Sequence, residues 1–181
     1  MDHFRYMGTR FSVRDTIPDG VAGTKITLNR MAELARAGRR DPYIRKLALS
    51  IIAGIPAKNW DAELMRLHKW VRNNIRYVRD PVDTLSGQRV KGIEYLATPR
   101  ATLETKAGDC DESATLLSSL LGTIGHPSRF VAVGLHGNSF SHVFVESPTQ
   151  KNTWLSADAT EPVEIGWKPR NITSRLIRYA D

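Results

Sequence analysis

The sequence predicts an α+β fold in which N-terminal helices and a cysteine-bearing helix pack on a C-terminal antiparallel β-sheet. Three observations carry this reading. Apolar residues recur at helical spacing from Thr24 to Gly125. After His126 the chain changes to short alternating runs rich in Val, Phe and Trp. Between the two, Asp109-Cys110-Asp111-Glu112 followed by an apolar run has the form of a capping box, so a helix starts at the only cysteine.

A chain of 181 residues supports one well-buried core, and one domain is expected. Within it the sequence separates into an irregular arm (1–23), a helical part (24–125), an antiparallel sheet (126–160) and a C-terminal tail (161–181). The start of the chain lacks the basic-then-apolar layout of a signal peptide, and the longest apolar stretch, 47–55, is too short to span a bilayer. A cytoplasmic protein with no membrane partner is the expectation, in the host cytoplasm or the virion if the chain is phage-encoded. The net charge of +7 suits polyanions such as nucleic acid, but Lys and Arg are scattered through every segment and form no block. Oligomeric state is not legible.

The elements follow in order. The arm carries Pro18, Gly20 and Gly23, with a short strand around 6–13. A first helix runs from Thr24 through Met31 and Leu34 to the stop at Gly38. Asp41-Pro42 supplies an N-cap and an N1 proline for a second, through Ile44, Leu47, Ala48 and Ile51. A third spans Asn59 to Asn74, with His68 among its core positions and read as satisfied locally. The polar stretch 80–92 is a loop that either covers substrate or merely connects. In the cysteine helix, Cys110, Ala114, Leu117, Leu121 and Ile124 define a buried stripe headed by the thiol. Strands follow at 129–135, 141–146 and 153–157, and in the tail Trp167 is placed over the core.

A lone cysteine excludes an internal disulfide framework and a multi-thiolate zinc site. By residue type alone it would be a buried filler, but the helix N-terminus favours a thiolate while the flanking carboxylates oppose one. Alternation puts His142, Phe144 and Glu146 on one face of their strand, and Trp154, Ser156 and Asp158 on one face of the next. A hairpin centred near Gln150 pairs residue numbers summing to about 300, which sets His142 opposite Asp158. Cys110, His142 and Asp158 then form a nucleophile, its base and the orienter of that base. The Cys110 N–H supplies one oxyanion donor, and Trp70 and Tyr77 are both candidates for a second. A zinc site from Cys110, His136, His142 and Asp158 is a weaker arrangement, and His126 and His3 have no evident partners.

Four segments together resemble the transglutaminase-like cysteine enzymes of the papain-like superfamily, including small bacterial and phage members. They are Lys106-Ala-Gly-Asp-Cys-Asp-Glu-Ser-Ala-Thr-Leu-Leu, Ile124-Gly-His-Pro-Ser-Arg-Phe-Val, Ser141-His-Val-Phe-Val-Glu and Trp154-Leu-Ser-Ala-Asp-Ala-Thr. The resemblance implies the same triad, Cys110, His142 and Asp158, and activities that include peptide hydrolysis, transamidation and deamidation of protein glutamine, with some members inactive. Amide hydrolysis of a protein or peptide through a thioester is the expected reaction, because a compact domain shields an acyl-enzyme poorly from water. No cofactor is required. The resemblance also implies a calcium site at Asp109, Asp111 and Glu112, residues that a capping box and a first-turn acid account for equally. The rival from another class is a non-catalytic phage structural or assembly module that uses its basic surface.

Overall fold

The structure, a computed structural model, describes residues 12–79, 84–85, 88–89, 93–136 and 139–181. In chain order its elements are β1 (Ser12–Thr16), α1 (Val21–Gly38), α2 (Pro42–Ile51), α3 (Trp60–Asn74), β2 (Arg76–Tyr77), β3 (Thr84–Leu85), β4 (Gln88–Arg89), β5 (Ile93–Ala97), α4 (Pro99–Thr105), β6 (Ala107–Gly108), α5 (Cys110–Thr123), β7 (Arg129–His136), β8 (Ser139–Pro148), β9 (Trp154–Ala157) and β10 (Ser174–Tyr179). The four-stranded sheet follows the helices, as expected, but the short strands β2 to β6 interrupt the part expected to be helical. None of the described helices is long and apolar enough to cross a membrane.

The caps form as the sequence chemistry requires. The Asp41 carboxylate accepts the Tyr43 N–H at 2.8 Å with Pro42 at the helix start, and Asn59 caps α3 by accepting the Ala62 N–H at 3.3 Å. Helix α1 begins at Val21, three residues before the expected Thr24, because Gly23 lets the Pro18 carbonyl fold against the first turn. A Cβ on Gly23 would lie 1.9 Å from that carbonyl oxygen. Helix α4 was not expected. Its signal is Thr98-Pro99, since Thr98 accepts the Ala101 N–H at 3.1 Å and Pro99 occupies the first turn, the same logic as Asp41-Pro42.

Helix α5 is the centre of the molecule. Helices α1, α2, α3 and α4 pack around it and β8 covers it from the sheet side. The expected single stripe is too narrow, because Leu116 and Leu120 are as fully enclosed as Leu117 and Leu121. The polar positions of α5 are enclosed as well, and most turn their hydroxyls to nearby acceptors. Ser119 bonds the Thr115 carbonyl at 2.8 Å, and Ser118 bonds Ser128 at 2.8 Å. Gly38 lets α1 approach closely, since a Cβ there would meet Ser119 Oγ at 2.5 Å. Truncating any of these leucines to alanine would cost about 2–5 kcal/mol.

The sheet has strand order β10-β7-β8-β9, antiparallel throughout. Phe130, Ala132, Val143, Val145 and Ala157 face the helices, while Val131, Val133 and Phe144 form a second buried cluster on the other face. The tail therefore differs from expectation. It carries the fourth strand, β10, which pairs with β7 from Ser174↔Gly134 to Tyr179↔Arg129. Between β9 and β10 the tail is tied to the sheet. Gly166 donates to the Ser156 carbonyl at 2.7 Å, and the Ser156 hydroxyl donates to the Trp167 carbonyl. Trp167 itself is 38% exposed, and Ile165 supplies the core contact assigned to it.

The arm also differs. Its strand is β1, antiparallel to β5 from Ser12↔Ala97 to Thr16↔Ile93, while the rest of the expected 6–13 strand lies outside the described residues. Within the 80–92 loop the described part is the β3–β4 pair, Thr84↔Arg89 and Leu85↔Gln88. Strands β2 and β6 pair in parallel, which sets Tyr77 beside Gly108, two residues before the cysteine.

Candidate active site

The start of α5 is built by the capping box. Asp109 accepts the Asp111 N–H at 2.9 Å, and Glu112 returns to accept the Asp109 N–H at 3.0 Å. The other Glu112 oxygen accepts the Ala97 N–H at 3.1 Å, so this side chain brackets the end of β5 to the start of α5. Gly108 makes room for it, since a Cβ there would lie 2.5 Å from Glu112 Cβ. Glu112 is 3% exposed. Burial, and then the nearby Asp109 carboxylate, push its carboxyl up to about 8.

Cys110 occupies the first helical position and is partly buried. Its Sγ lies 3.8 Å from Asp111 Oδ1. Burial, followed by the charges of Asp111 and Asp109, raises the thiol well above its ordinary value, and a hydrogen bond from the Val143 backbone N–H opposes them. Burial and the carboxylates together set the thiol high. Of the two opposing influences expected at the helix start, the flanking carboxylates act on the thiol here.

His142 and Asp158 meet. Nε2–H of His142 donates to Asp158 Oδ2 at 2.6 Å, leaving Nδ1 as the basic nitrogen. The register is not the expected one: Val145 faces Ala157 and Glu146 faces Ser156, an offset of two residues. Parity is preserved, so both side chains keep the same face, and Asp158 reaches His142 from just beyond the last β9 pair. Asp158 is 1% exposed. Its other oxygen accepts the Thr160 N–H at 3.0 Å, the Thr160 hydroxyl at 2.8 Å and the Glu161 N–H at 3.3 Å. Burial alone would raise its carboxyl, but the bond from His142 and those from Thr160 hold it below the usual range.

Helix α3 locks this corner from behind. His68, 2% exposed, donates Nε2–H to the Asp158 carbonyl at 2.6 Å. One turn on, Arg72 donates to the Val163 carbonyl and meets Glu164 at 3.2 Å. His68 is thus satisfied, but by the main chain of a candidate catalytic residue, a partner ninety positions away that no local pattern exposes. Near the start of α3, Glu63 meets His126 Nε2 at 2.7 Å beneath the Trp60 ring, so His126 has the partner that the sequence did not show.

Tyr77 pairs with Gly108, two residues before the thiol, while Trp70 packs on the same core as Cys110. Burial and then the charges of Cys110 and Asp109 raise the Tyr77 phenol. Cys110 and His142 share the wall of a cavity of about 400 Å³. Its opposite contributors are Ile17, Asp19, Thr27 and Met31, from the arm and α1, regions the sequence reading left without a role. The side chain of His136 lies outside the described residues. Among the described residues, the group able to hold a metal is Asp109, Cys110 and Asp111, whose ligand atoms lie within 4.8 Å of one another. Glu112 is not in it, and His142 Nε2 is engaged by Asp158.

Residues 45–159 match the family described as the transglutaminase-like superfamily, more than half of the chain. The chain belongs to the transglutaminase-like superfamily. A curated relative, UPF0252 protein MJ1282 of Methanocaldococcus jannaschii, is 37% identical over 67 residues, 37% of this chain and 19% of that protein. Calcium-bound LapG of Legionella pneumophila has a similar structure, with TM-score 0.51 and 20% identity over 81% of this chain and 80% of LapG. A candidate cysteine protease from Cytophaga hutchinsonii gives TM-score 0.48 at 20% identity, over 75% of this chain and 46% of that one. The chain thus spans less than half of two of these three relatives, and the fold is what it shares with LapG.

Proposed function

We propose that this chain is a cysteine-dependent amide hydrolase acting on a protein or peptide. The observation that supports it most is the His142–Asp158 bond at 2.6 Å, set in the wall of the cavity that also holds Cys110 at the head of α5. Cys110 Sγ attacks the carbonyl carbon, and His142 Nδ1 takes the thiol proton. As the C–N bond breaks, His142 returns that proton to the leaving amine, which leaves a thioester on Cys110. His142 then deprotonates a water that attacks the thioester, releasing a carboxylic acid and restoring the thiol. Asp158 holds the imidazole with its proton on Nε2 and stabilises imidazolium. The Cys110 N–H, with Tyr77 beside it, faces the charge that develops on the carbonyl oxygen.

Calcium fits part of the site. Asp109 and Asp111 offer oxygen ligands suited to a hard cation, while both Glu112 oxygens are held by backbone N–H groups, so the expected three-carboxylate set narrows to two. A bound calcium would supply positive charge beside the thiol, offsetting the two carboxylates that raise it.

The test compares wild type with Cys110→Ala on a mixed peptide library by mass spectrometry. New peptide termini that vanish in Cys110→Ala and in His142→Ala are the expected result. Cys110-dependent deamidation or cross-linking without new termini would replace hydrolysis with transfer or deamidation chemistry. No Cys110-dependent product at all would refute the catalytic reading.

A further inference from the structure

The cavity beside Cys110 differs in charge from the rest of the molecule. The chain carries 26 Lys and Arg against 19 Asp and Glu, yet among the described residues neither Lys nor Arg lines the cavity, whose lining includes two carboxylates, Asp19 and Asp111. Asp19 is exposed at the cavity rim and has no ion pair among the described residues. Its position is fixed by the packing of the Pro18 carbonyl on Gly23, which holds the 17–20 turn to α1. Between the rim and the thiol lies an apolar wall that includes Leu28 and Met31. Thr27, on the same wall, is 9% exposed and has no hydrogen-bond partner among the described residues. Its hydroxyl is solvent-accessible rather than enclosed, so it opens on the cavity, where water satisfies it until a polar group of a ligand takes that place.

We propose that this wall is a substrate subsite for a basic residue, Lys or Arg, of the peptide next to the bond attacked by Cys110. The aliphatic stem of such a side chain lies on Leu28 and Met31, Thr27 receives a polar group of the bound peptide, and Asp19 meets the cationic end. Low-dielectric walls focus the field of the carboxylates into the cavity, so a cation is drawn in although the protein as a whole is basic. The proposal rests on Cys110 being the nucleophile, and its test is arranged so that the two fail separately.

Cys110 is the only thiol, so its alkylation reads the field in the cavity without any knowledge of the substrate. The rates with cationic 2-bromoethylammonium, neutral iodoacetamide and anionic iodoacetate are measured for wild type, Asp19→Asn and Asp19→Lys. The carboxylates beside the thiol act equally in all three proteins, so the change between variants isolates Asp19. The cationic-to-anionic rate ratio should fall about two- to fivefold in Asp19→Asn and further in Asp19→Lys, with both differences shrinking at high salt. In parallel, matched peptides with Lys, norleucine or Glu flanking the scissile bond should show a Lys preference in wild type. That preference should weaken in Asp19→Asn, give way to Glu in Asp19→Lys, and cost a higher KM in Thr27→Val. A shifted alkylation ratio with no peptide cleaved by any variant would leave the cationic subsite standing and remove the hydrolase reading. Cys110-dependent cleavage with no basic preference, or an alkylation ratio unchanged in Asp19→Asn, would overturn the subsite.

Discussion

Replacing His68 with leucine should separate its two roles, filler of the α3 face and holder of the Asp158 main chain. His68 is 2% exposed and its Nε2–H reaches the Asp158 carbonyl at 2.6 Å, so a leucine of similar volume keeps the packing and leaves that carbonyl without its donor. An orphaned buried acceptor costs about 1–3 kcal/mol. For a chain of this size that is a fall in Tm of about 2–12 °C. The loss should also depend on pH. Burial holds the His68 imidazole below its ordinary value, so as pH drops below about 6.5 the unfolded chain takes up a proton that the folded chain resists. The His68 contribution is therefore complete above that pH and declines below it, and the Tm gap between wild type and His68→Leu should narrow from pH 7.5 to pH 5. Thermal unfolding followed by circular dichroism across that range measures both. His68→Gln, which keeps an N–H donor, should recover part of the loss. A His68→Leu protein that melts with wild type at pH 7.5, or a gap that stays constant with pH, would refute the reasoning.

Four further outcomes follow from the same geometry. Glu112→Ala orphans the Ala97 and Asp109 N–H groups, at about 1–3 kcal/mol each. Because the Glu112 carboxyl is raised from 4.5 to about 8, its contribution is complete below pH 4.5 and is lost as pH rises through 8, so wild type and variant should converge at alkaline pH in denaturant titrations. Asp111→Asn removes one of the charges that raise the Cys110 thiol, and iodoacetamide should label it about three- to tenfold faster at pH 7. Adding calcium should accelerate the wild type in the same direction and leave an Asp109→Asn, Asp111→Asn double variant unchanged. Glu146→Gln weakens the anchor shared by Arg129 at 2.6 Å, Arg175 at 3.0 Å and Lys168 at 3.1 Å. Lys168 and Arg175 can turn to solvent but Arg129 cannot, so a loss of about 2–4 kcal/mol is expected. Burial would raise the Glu146 carboxyl, but these cations hold it low, so its contribution should fade only under acid, below about pH 4.5.

Local chemistry made much of this molecule legible. Asp41, Asn59 and Asp109 announce helix starts because a cap is a contact within three residues, and the side chains that perform it are few. Period-two alternation placed His142 and Asp158 on one face, and because parity survives a two-residue offset, an inexact register still brought them together. Distant pairings were not legible. His68 to Asp158, Glu63 to His126, β1 to β5 and β10 to β7 each depend on where far segments settle, and local pattern is silent about that. The full burial of α5 was hidden for a related reason. Serines and threonines that return their hydroxyls to the backbone read as a polar face, although here most of them are satisfied in the interior.

The β1–β5 pairing carries a consequence for assembly. Ser12 meets Ala97, so the strand that leads directly into the cavity wall is held by a partner some eighty residues later in the chain. Closing so long a loop is entropically slow beside the formation of α1, α2 and α3, whose contacts are local. The 17–20 turn packs on α1 by a local contact, but the strand before it is fixed only when that ribbon has zipped. The strand leading into the cleft wall is thus set late in folding, and its ribbon of five residue pairs is a short unit that can open locally without disturbing the helices.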